Sequence, residues 1–380
     1  MSEVTLGETP SRAFRPRGKV LPGHGRQHNR SLILQQLLHN GPQSRADLAR
    51  ATQLTAATVG DLVGDLRREG IIEEHGRRST GPGKPGTLLR IVPNARLTVG
   101  LDLSDRNQFV GGVVNLVGEV VQRHEVARRD RTGAEAVGLV AELVEALLAR
   151  TEGPVVGIGI GSPGVVFPDG VVQESSNLHW HGTALAAKVG RGLDLPVHVV
   201  NDADAAVLGE RQFGGATGPN LLVVKIGLGV GAGLVLDGHL IEGEAFAAGE
   251  IGHVVVDPSG DRCACGNRGC LETVVAWSLL HEQLDGLDGA GRDAVLTAAG
   301  NWLGIALAPV VSVLNLSQVV LSGPPDLLGK PFRQAVVDTV KQRTFPMVGK
   351  RFETRLATTG RDDVVLGAAA VVLEHVLGVR

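Results

Sequence analysis

All three cysteines of the 380-residue chain lie in the run Cys263-Ala-Cys265-Gly-Asn-Arg-Gly-Cys270, and His253 lies ten residues before the first of them. Three thiolates and one imidazole are the usual tetrahedral shell of a structural zinc ion. The glycines inside the run allow the tight turns that would bring the four donors together. The spacing therefore predicts a metal site rather than scattered buried thiols. Four protein ligands leave no position for water, so we expect the zinc to brace a loop and not to take part in a reaction.

Composition and charge restrict the class of protein and its partners. Hydrophobic residues make up 43% and charged residues 20% of the chain, as in ordinary globular proteins. Apolar stretches are interrupted before the roughly 18 residues of a spanning helix, so we expect no membrane segment, and metal-binding cysteines favour the cytoplasm. The net charge of −3 is uneven, because residues 1–92 carry +6 and residues 93–380 carry −9. Only the amino-terminal quarter is suited to a polyanion.

The first ninety residues predict a tail followed by a small DNA-binding domain. Residues 1–24 are rich in Pro, Gly and Arg without an apolar period, which is typical of a disordered tail. Within residues 25–92, apolar spacing predicts a first helix over 29–39. Ser44-Arg-Ala-Asp47 is a capping signature for a short second helix, and Thr55 caps a third that Gly70 ends. Three short helices in this order form a helix-turn-helix.

A basic loop follows these helices. Residues 71–74 and 87–91 predict two strands around the loop 77–86, which makes a wing. Small residues at the start of the third helix allow it to enter a major groove, and the loop can reach phosphates or the minor groove. A three-helix domain of this kind can also bind protein or dimerise. On the DNA interpretation, the contacts to bases and phosphates come from Thr55, Ala56, Thr58, Arg45, Arg77, Arg78 and Lys84.

The remainder of the chain, residues 93–380, predicts an α/β body with an internal duplication. Short β-branched runs, glycine turns and longer helices alternate there. The strand and hairpin pattern that begins at Leu97–Asp102 returns at Leu221–Ile226, where the glycine-rich turn 227–233 follows. The duplication predicts two related lobes, each with a sheet, that face a cleft. Helices are predicted over residues 134–150, 203–211, 292–314, 331–343 and 363–377.

Several of these motifs together resemble a known family. The chain resembles the ROK family of bacterial sugar kinases and sugar-responsive repressors. The motifs that carry the resemblance are Gly249-Glu-Ile-Gly-His253, Cys263 to Glu272, Asn201-Asp202, Gly161-Ser-Pro-Gly164 and Gly227-x-Gly229-x-Gly231. The resemblance extends from residue 25 onward. It implies an α/β fold in which residues 93–380 form a two-lobed, actin-like and hexokinase-like domain. The repressor branch of the family places a winged helix-turn-helix before that domain, as this chain does.

The resemblance also implies a sugar site. A sugar presents hydroxyl groups that both donate and accept, so a cleft with carboxylates, an amide and an imidazole can satisfy each of them. Without the resemblance, surface charge explains the two glutamates and a helix cap explains Asn201-Asp202. His253 would serve twice, because a ring nitrogen bound to zinc leaves a protonated nitrogen for a sugar oxygen. The implied effector-binding residues are Asn201, Asp202, Glu250, His253 and Glu272.

The first phosphate loop distinguishes a kinase from a sensor. Kinases of the family carry Asp-x-Gly-Gly-Thr after the first strand, whereas this chain has Asp102-Leu-Ser104-Asp105-Arg106-Asn107. The glycines that let backbone amides approach a triphosphate are gone. An inward Asp105 would add a repulsion of about 1–4 kcal/mol at about 4 Å. Asp202 is at the catalytic-base position, where a sensor would use it only as a hydrogen-bond acceptor. We therefore expect no catalysis.

These expectations combine into a cytoplasmic, sugar-responsive transcriptional regulator, most simply a repressor. It would bind palindromic operator DNA as a homodimer or homotetramer and take a sugar or sugar phosphate as effector. An ATP-dependent sugar kinase that also binds DNA is an alternative, which sugar-dependent ATP consumption would support. A DNA-binding scaffold with an empty cleft is another, which the lack of any sugar-induced change in thermal stability would support.

Overall fold

The amino-terminal domain contains three helices and a three-stranded antiparallel sheet. In this computed structural model, which describes residues 22–78, 86–216 and 218–379, the domain consists of α1 (Pro22–Asn40), β1 (Gln43–Ser44), α2 (Arg45–Thr52), α3 (Ala56–Arg68), β2 (Ile72–Arg78) and β3 (Gly86–Ile91). Ser44 caps α2 in a reciprocal capping box with Asp47. Thr55 caps α3, because its hydroxyl accepts a hydrogen bond from the backbone amide of Thr58. Both predicted caps are confirmed.

Two predicted boundaries in this domain are wrong. Helix α1 begins at Pro22, inside the segment predicted to be a tail, because ion pairs from Arg26 to Asp65 and from Arg30 to Glu69 attach its first turns to α3. Such tertiary contacts override local propensity and leave no periodic signal. Strand β2 continues to Arg78, paired with β3, so Arg77 and Arg78 lie in the strand and not in the loop. Residues 79–85, with Lys84, lie outside the described residues.

The body of the protein contains two five-stranded sheets of the same topology. Sheet I has the order β11-β7-β4-β5-β6, and sheet II has the order β14-β13-β12-β15-β16. The first three strands of each sheet form an antiparallel meander, and the last two add in parallel on its other side. The predicted duplication is therefore confirmed. The strands of the two sheets are β4 (Leu97–Asp102), β5 (Gln108–Asn115), β6 (Val120–Ala127), β7 (Val155–Ser162), β11 (Val197–Asn201), β12 (Leu221–Ile226), β13 (Val230–Leu236), β14 (His239–Leu240), β15 (Gln318–Ser322) and β16 (Glu353–Leu356).

The helices and a small third sheet complete the two lobes. Strand β6 begins at Val120, because Gly118, at φ +84°, lies in the turn before it. The third sheet, next to sheet I, consists of β8 (Val165–Val166), β9 (Val171–Ser175) and β10 (Trp180–Ala184). The helices are α4 (Gly133–Leu148), α5 (Leu185–Val189), α6 (Asp202–Gln212), α7 (Glu272–Val275), α8 (Trp277–Leu284), α9 (Gly289–Leu314), α10 (Lys330–Arg343), α11 (Pro346–Gly349) and α12 (Asp363–Leu377).

Helices α6 and α12 cross between the two sheets. Each follows the fifth strand of its own sheet and packs mainly on the other one, α6 on β13 and α12 on β7 and β4. The backbones of α6 and α12 are in direct contact where the helices cross, because a Cβ on Gly209 or Gly367 would overlap main-chain atoms of the opposite helix. As a result, Asp202 and Asp363, the first residues of the two helices, both lie where the sheets meet.

One helix, α9, is long and apolar enough to cross a membrane by length and composition alone. Its buried residues, among them Leu303 and Leu307, join the core beneath sheet II together with Phe332 of α10. Core helices of globular domains meet the same criterion, and these contacts explain the apolar character of α9. The helix predicted over 292–314 ends at the observed residue, begins three residues earlier at Gly289, and contains Pro309 without ending there.

The core of the amino-terminal domain continues into the body. Leu373 of α12 and Val379, two residues after the end of that helix, are buried in one cluster with Ile33 and Leu34 of α1. Gln35 also donates a hydrogen bond to the carbonyl of Gly378 at 3.4 Å. Helix α12 therefore begins between the two lobes and ends in the packing of the helix-turn-helix.

Candidate functional site

The start of helix α3 presents the surface predicted to contact bases. Thr55 and Ala56 are exposed and Thr58 is half-buried, and open space surrounds Gly60 and Gly64 on the same helix. The Thr55 hydroxyl also lies 2.9 Å from the hydroxyl of Thr58. A helix with so few bulky groups on its outer face can come close to a groove floor, and its free amino-terminal amides favour phosphate oxygens.

Arg45, which is predicted to contact phosphate, has an acidic neighbour in the structure. Arg45 begins α2 and lies 4.0 Å from Glu74, so this cation already has a weak anionic neighbour. Arg67, at the end of α3, pairs with the same glutamate at 3.0 Å. The side chains of Arg45 and Arg67 remain 41% and 45% exposed. Exposed pairs of this kind are worth about 0–1 kcal/mol, so phosphate can compete for these arginines.

The four predicted metal ligands converge. The donor atoms of His253, Cys263, Cys265 and Cys270 all lie within 4.8 Å of one another. The Sγ atoms of Cys265 and Cys270 are 3.7 Å apart, and His253 Nδ1 is 3.5 Å from Cys263 Sγ. A tetrahedral zinc ion with bonds of about 2.3 Å to sulfur and about 2.0 Å to nitrogen requires separations of about 3.8 and 3.6 Å. The cluster can hold a metal ion of this size, and Gly266 and Gly269 adopt the positive φ angles that its turns need.

The metal cluster forms one wall of a polar cavity of about 190 Å³ between the lobes. His253 turns Nδ1 toward the cysteines, while its Nε2 lies 3.7 Å from Glu250 Oε2. All five residues implied as effector ligands line this cavity, namely Asn201, Asp202, Glu250, His253 and Glu272. Ser176 and Asn177, which follow β9, line it too and carry no motif that would have revealed them.

Two of the implied ligands also hold the cavity together. Asn201 caps α6, since its Oδ1 accepts from Ala203 N at 2.8 Å, and its Nδ2 donates to the Gly164 carbonyl at 2.9 Å. Glu272 Oε2 accepts from Val230 N at 3.1 Å, which fixes the glycine-rich turn. The helix-cap interpretation of Asn201 is therefore correct, and it does not exclude ligand contact. A carboxylate has room for several hydrogen bonds, so Glu272 keeps acceptor capacity for a ligand.

The carboxylates of the cleft differ in solvent exposure, because the side chain of Asp202 is 18% exposed and that of Glu250 is 41% exposed. Burial raises the pKa of Asp202 although Lys225 lies nearby, and burial also raises the pKa of Glu250 despite the opposing effect of His253. Burial together with the charge of Glu242 raises the pKa of Asp204, which lies behind Asp202 in α6, well above its ordinary value. A site with several such acids is suited to ligands that donate hydrogen bonds.

Lys225 is the site residue that the sequence analysis missed. It lies in β12 of sheet II, and its Nζ donates to Ser104 Oγ at 3.0 Å and lies 3.4 Å from Asp202 Oδ2. Burial alone would lower the pKa of Lys225, but the carboxylates of Asp202, Asp102 and Asp363 outweigh it and raise the pKa. The lysine is therefore charged. No motif marks it, because its partners come from three distant segments.

The first loop differs from expectation in one respect. Asp105 is exposed, does not line the cavity, and accepts hydrogen bonds from the amides of Asn107 and Gln108. The expected repulsion by an inward Asp105 therefore has no support in the geometry. Asp102 closes the same loop by accepting from Ser104 N at 2.8 Å. The group of this loop that faces the cavity is Ser104.

A larger cavity, of about 410 Å³, lies on the other side of the crossing helices. Residues of β11 and of the end of α12 line it, including His198 and His375, whose rings stack at 4.1 Å. None of the residues predicted to bind an effector lines this cavity. The larger of these two cavities is therefore not the one that the predicted ligands line.

The fold and the cleft together define a winged-helix protein whose second domain is a two-lobed, actin-like body with a metal cluster beside a polar cavity. Residues 98–375 match the ROK family, and residues 26–73 match a winged helix-turn-helix DNA-binding family. The chain belongs to the ROK family.

Relatives of two kinds resemble this chain. A putative xylose repressor of Caldicellulosiruptor sp. (strain Rt8B.4) is 30% identical over 387 residues, which cover 93% of this chain and 97% of that protein. The glucokinase of Thermotoga maritima is 28% identical over 325 residues, which cover 76% of this chain and 100% of the enzyme. A crystal structure of a ROK family transcriptional regulator, described as a homologue of the Escherichia coli Mlc protein, shares the fold with a TM-score of 0.78 at 24% identity, over 92% of this chain and 96% of that one.

Proposed function

We propose that the protein is a sugar-responsive transcriptional repressor. One observation carries the proposal: α12 begins at Asp363 beside the polar cleft and ends at residues packed in the core of the helix-turn-helix. A ligand that changes the relative position of the lobes thus acts on an element that the DNA-binding domain shares. The similarity to a putative xylose repressor over almost the whole chain supports the same function.

The effector in this proposal is a small sugar or sugar derivative bound in the cleft. The cavity of about 190 Å³ is smaller than the roughly 300–1,000 Å³ of pockets for drug-sized ligands, which favours a small ligand such as a monosaccharide. Asp202, Glu250 and Glu272 offer acceptors for ring hydroxyls, and Asn177 offers an amide that can donate or accept. A sugar with one hydroxyl missing or inverted would leave a buried carboxylate unsatisfied, so the site would discriminate among sugars.

Zinc is the metal that we propose for the cysteine cluster. Three thiolates and one imidazole at tetrahedral spacing form a closed shell typical of structural zinc. The metal would orient His253, whose second nitrogen faces Glu250 and the cavity. Zinc content measured by atomic emission on purified protein should equal one per chain. A Cys265→Ser variant should lose the metal and the sugar response together, whereas Ser259→Ala in the same loop should keep both.

The second candidate function is an ATP-dependent sugar kinase. The glucokinase similarity favours it. Asp202, at the family's base position, is compatible with a kinase and with a sensor. Against it stands the loop 102–107, which lacks the two glycines through which backbone amides approach a triphosphate. Sugar-dependent ADP release at an ordinary enzymatic rate would establish the kinase. We expect none above the background of an Asp202→Asn preparation, which lacks the residue at the family's base position.

The proposed DNA complex is a homodimer or homotetramer in the cytoplasm on a palindromic operator. Two copies of α3 would enter successive major grooves, with Thr55, Ala56 and Thr58 at the bases. Arg45, Arg77, Arg78 and Lys84 would contact the phosphates. Their contribution should appear as a steep loss of affinity with rising salt concentration.

The test measures DNA binding and its response to sugars in one experiment. Duplexes selected from a randomised pool by the purified protein supply the operator, and fluorescence anisotropy then measures its affinity with and without each of a panel of sugars and sugar phosphates. One sugar should change operator affinity by about 5-fold to 150-fold. The proposal is wrong if no DNA is enriched, or if no compound of the panel changes either operator affinity or thermal stability.

Variants localise the effector. Asp202→Asn and Glu250→Gln should abolish the change in operator affinity while the affinity without sugar stays within about 2-fold of wild type, because neither residue lies near α3. Glu282→Gln, on the exposed side of α8, is the matched control and should respond normally. A normal response in the cleft variants would show that the sugar binds elsewhere.

A further inference from the structure

Four charged side chains meet where the two lobes come together. Lys225 projects from sheet II toward Asp202, the first residue of α6, and toward the loop after β4, where it bonds to Ser104. Asp363, the first residue of α12, is 5% exposed, and its carboxylate accepts from the Ser322 hydroxyl and from Val364 N. Sheet I, sheet II and both crossing helices therefore contribute to one small ionic cluster.

The duplication explains why acidic groups gather at this point. Asp202 and Asp363 are equivalent residues of the two lobes, since each begins the helix that follows the fifth strand. Asp102 ends the first strand of sheet I, next to Ser104. Helix amino termini stabilise the two helical aspartates, but three carboxylates still repel one another at close range. A positive charge among them lowers this repulsion.

Phosphoryl-transfer enzymes supply such a positive charge with Mg²⁺, which carboxylates and substrate phosphates hold jointly. Of the described residues that line the cavity, Lys225 is the only lysine or arginine. Its ammonium group is a compact point charge with three donors, and Ser104 and Asp202 account for two of them. The ammonium group lies between the Ser104 hydroxyl and the Asp202 carboxylate, so this position among the carboxylates already holds a positive charge.

We propose that Lys225 is a built-in counter-ion that takes the place of a divalent metal ion between the lobes, so that the cleft closes without Mg²⁺ and without nucleotide. Lobe closure then depends on the ligand in the cavity alone. This role is separate from the proposed sugar response, because it concerns the charge balance of the empty cleft and requires no particular effector. It also supplies a second obstacle to Mg²⁺–ATP, independent of the missing glycines.

The experiment compares thermal unfolding of wild type, Lys225→Met and Lys188→Met as full-length proteins. Each is loaded with zinc, exchanged into chelator-free buffer without Mg²⁺, and then titrated with Mg²⁺. The Lys188 side chain is exposed on α5, which makes it the control for loss of a lysine. Wild type and the Lys188 variant should keep the same Tm with and without Mg²⁺. The Lys225 variant should lose at least about 5 °C, because it leaves mostly buried carboxylates without a counter-charge. Millimolar Mg²⁺ should restore at least half of that loss.

A second variant separates charge from packing and covers the case in which the single variant does not fold. In Lys225→Met with Asp102→Asn, one negative charge leaves together with the positive one. The double variant should be more stable than the single variant without Mg²⁺, and should respond less to Mg²⁺. The proposal is overturned if Mg²⁺ or Mg²⁺ with a non-hydrolysable ATP analogue raises the Tm of wild type, or if neither Mg²⁺ nor the second substitution improves the Lys225 variant.

Discussion

At the scale of single residues, the cleft uses the same side chains for structure and for recognition. Asn201 caps a helix and borders the cavity, and His253 faces both the cysteines and Glu250. For this reason the sequence alone left a helix cap and a ligand role open for Asn201, and predicted two roles for His253. Motif spacing predicted the ligand set of the metal cluster, because four donors within one short segment have few ways to meet. Lys225 was not predictable, since a lone lysine in a strand usually points to solvent.

Asp204 gives a residue-scale prediction about pH. Burial raises the pKa of Asp204 well above its ordinary value, and among the described residues its Oδ1 has no hydrogen-bond partner. The folded protein therefore keeps a proton that the unfolded chain releases above about pH 4. The unfolded state binds fewer protons, so this group's contribution to the free energy of unfolding falls as pH rises from that point toward the folded-state pKa. Asp204→Asn, which resembles the protonated acid, should remove this loss.

The measurement is the Tm of Asp204→Asn and wild type between pH 5 and pH 8.5. The difference in favour of the variant should grow with pH. Asp194→Asn, at an exposed position, is the control and should follow wild type throughout. A variant less stable than wild type at pH 8.5 would show that the ionised carboxylate has a partner that the burial argument overlooks.

At the scale of helices and strands, most elements of the body could be predicted and their assembly could not. The apolar patterns predicted β4, β12 and α12 with the boundaries observed, because local periodicity reflects burial on one face. The repeat of strand and hairpin predicted two similar sheets. The exchange of α6 and α12 between the sheets has no local signal, since it depends on contacts between residues far apart in the chain. The same limit explains the early start of α1.

The helix crossing gives an element-scale prediction. Gly367→Ala would place a methyl group against the carbonyl of Ala205 in α6, and neither backbone can move without shifting a sheet. We expect the free energy of unfolding to fall by about 1–3 kcal/mol, as for other overpacked sites. Gly138→Ala is the matched control, because open space surrounds this exposed glycine of α4. It should stabilise the protein by about 0.5–1 kcal/mol through helix propensity. Urea unfolding of both variants measures the difference, and equal effects would contradict the crossing.

At the scale of the whole molecule, the ionic cluster and the DNA-binding domain lie at the two ends of one helix. Helix α12 has 15 residues and spans about 22 Å. Its first residue, Asp363, belongs to the cluster around Lys225, and its last turn packs with α1. A rigid helix that both ends depend on is a physical element through which two sites can be coupled. The sugar response should therefore depend on the packing at the far end of α12, where no sugar binds.

Val379→Ala tests this coupling. Val379 is buried in the core shared with Ile33 and Leu34 of α1, and the truncation should cost about 2 kcal/mol of stability. Because the looser contact transmits lobe movement less completely, the ratio of operator affinities without and with sugar should move toward one, while sugar affinity changes little. Val313→Ala, at a position 82% exposed on α9, removes the same atoms where they contact little and should leave the ratio unchanged. Anisotropy titrations well below the Tm of each variant give the ratios. An unchanged ratio in Val379→Ala would mean that the domains communicate by another route, such as the contact of Leu116 with the same core.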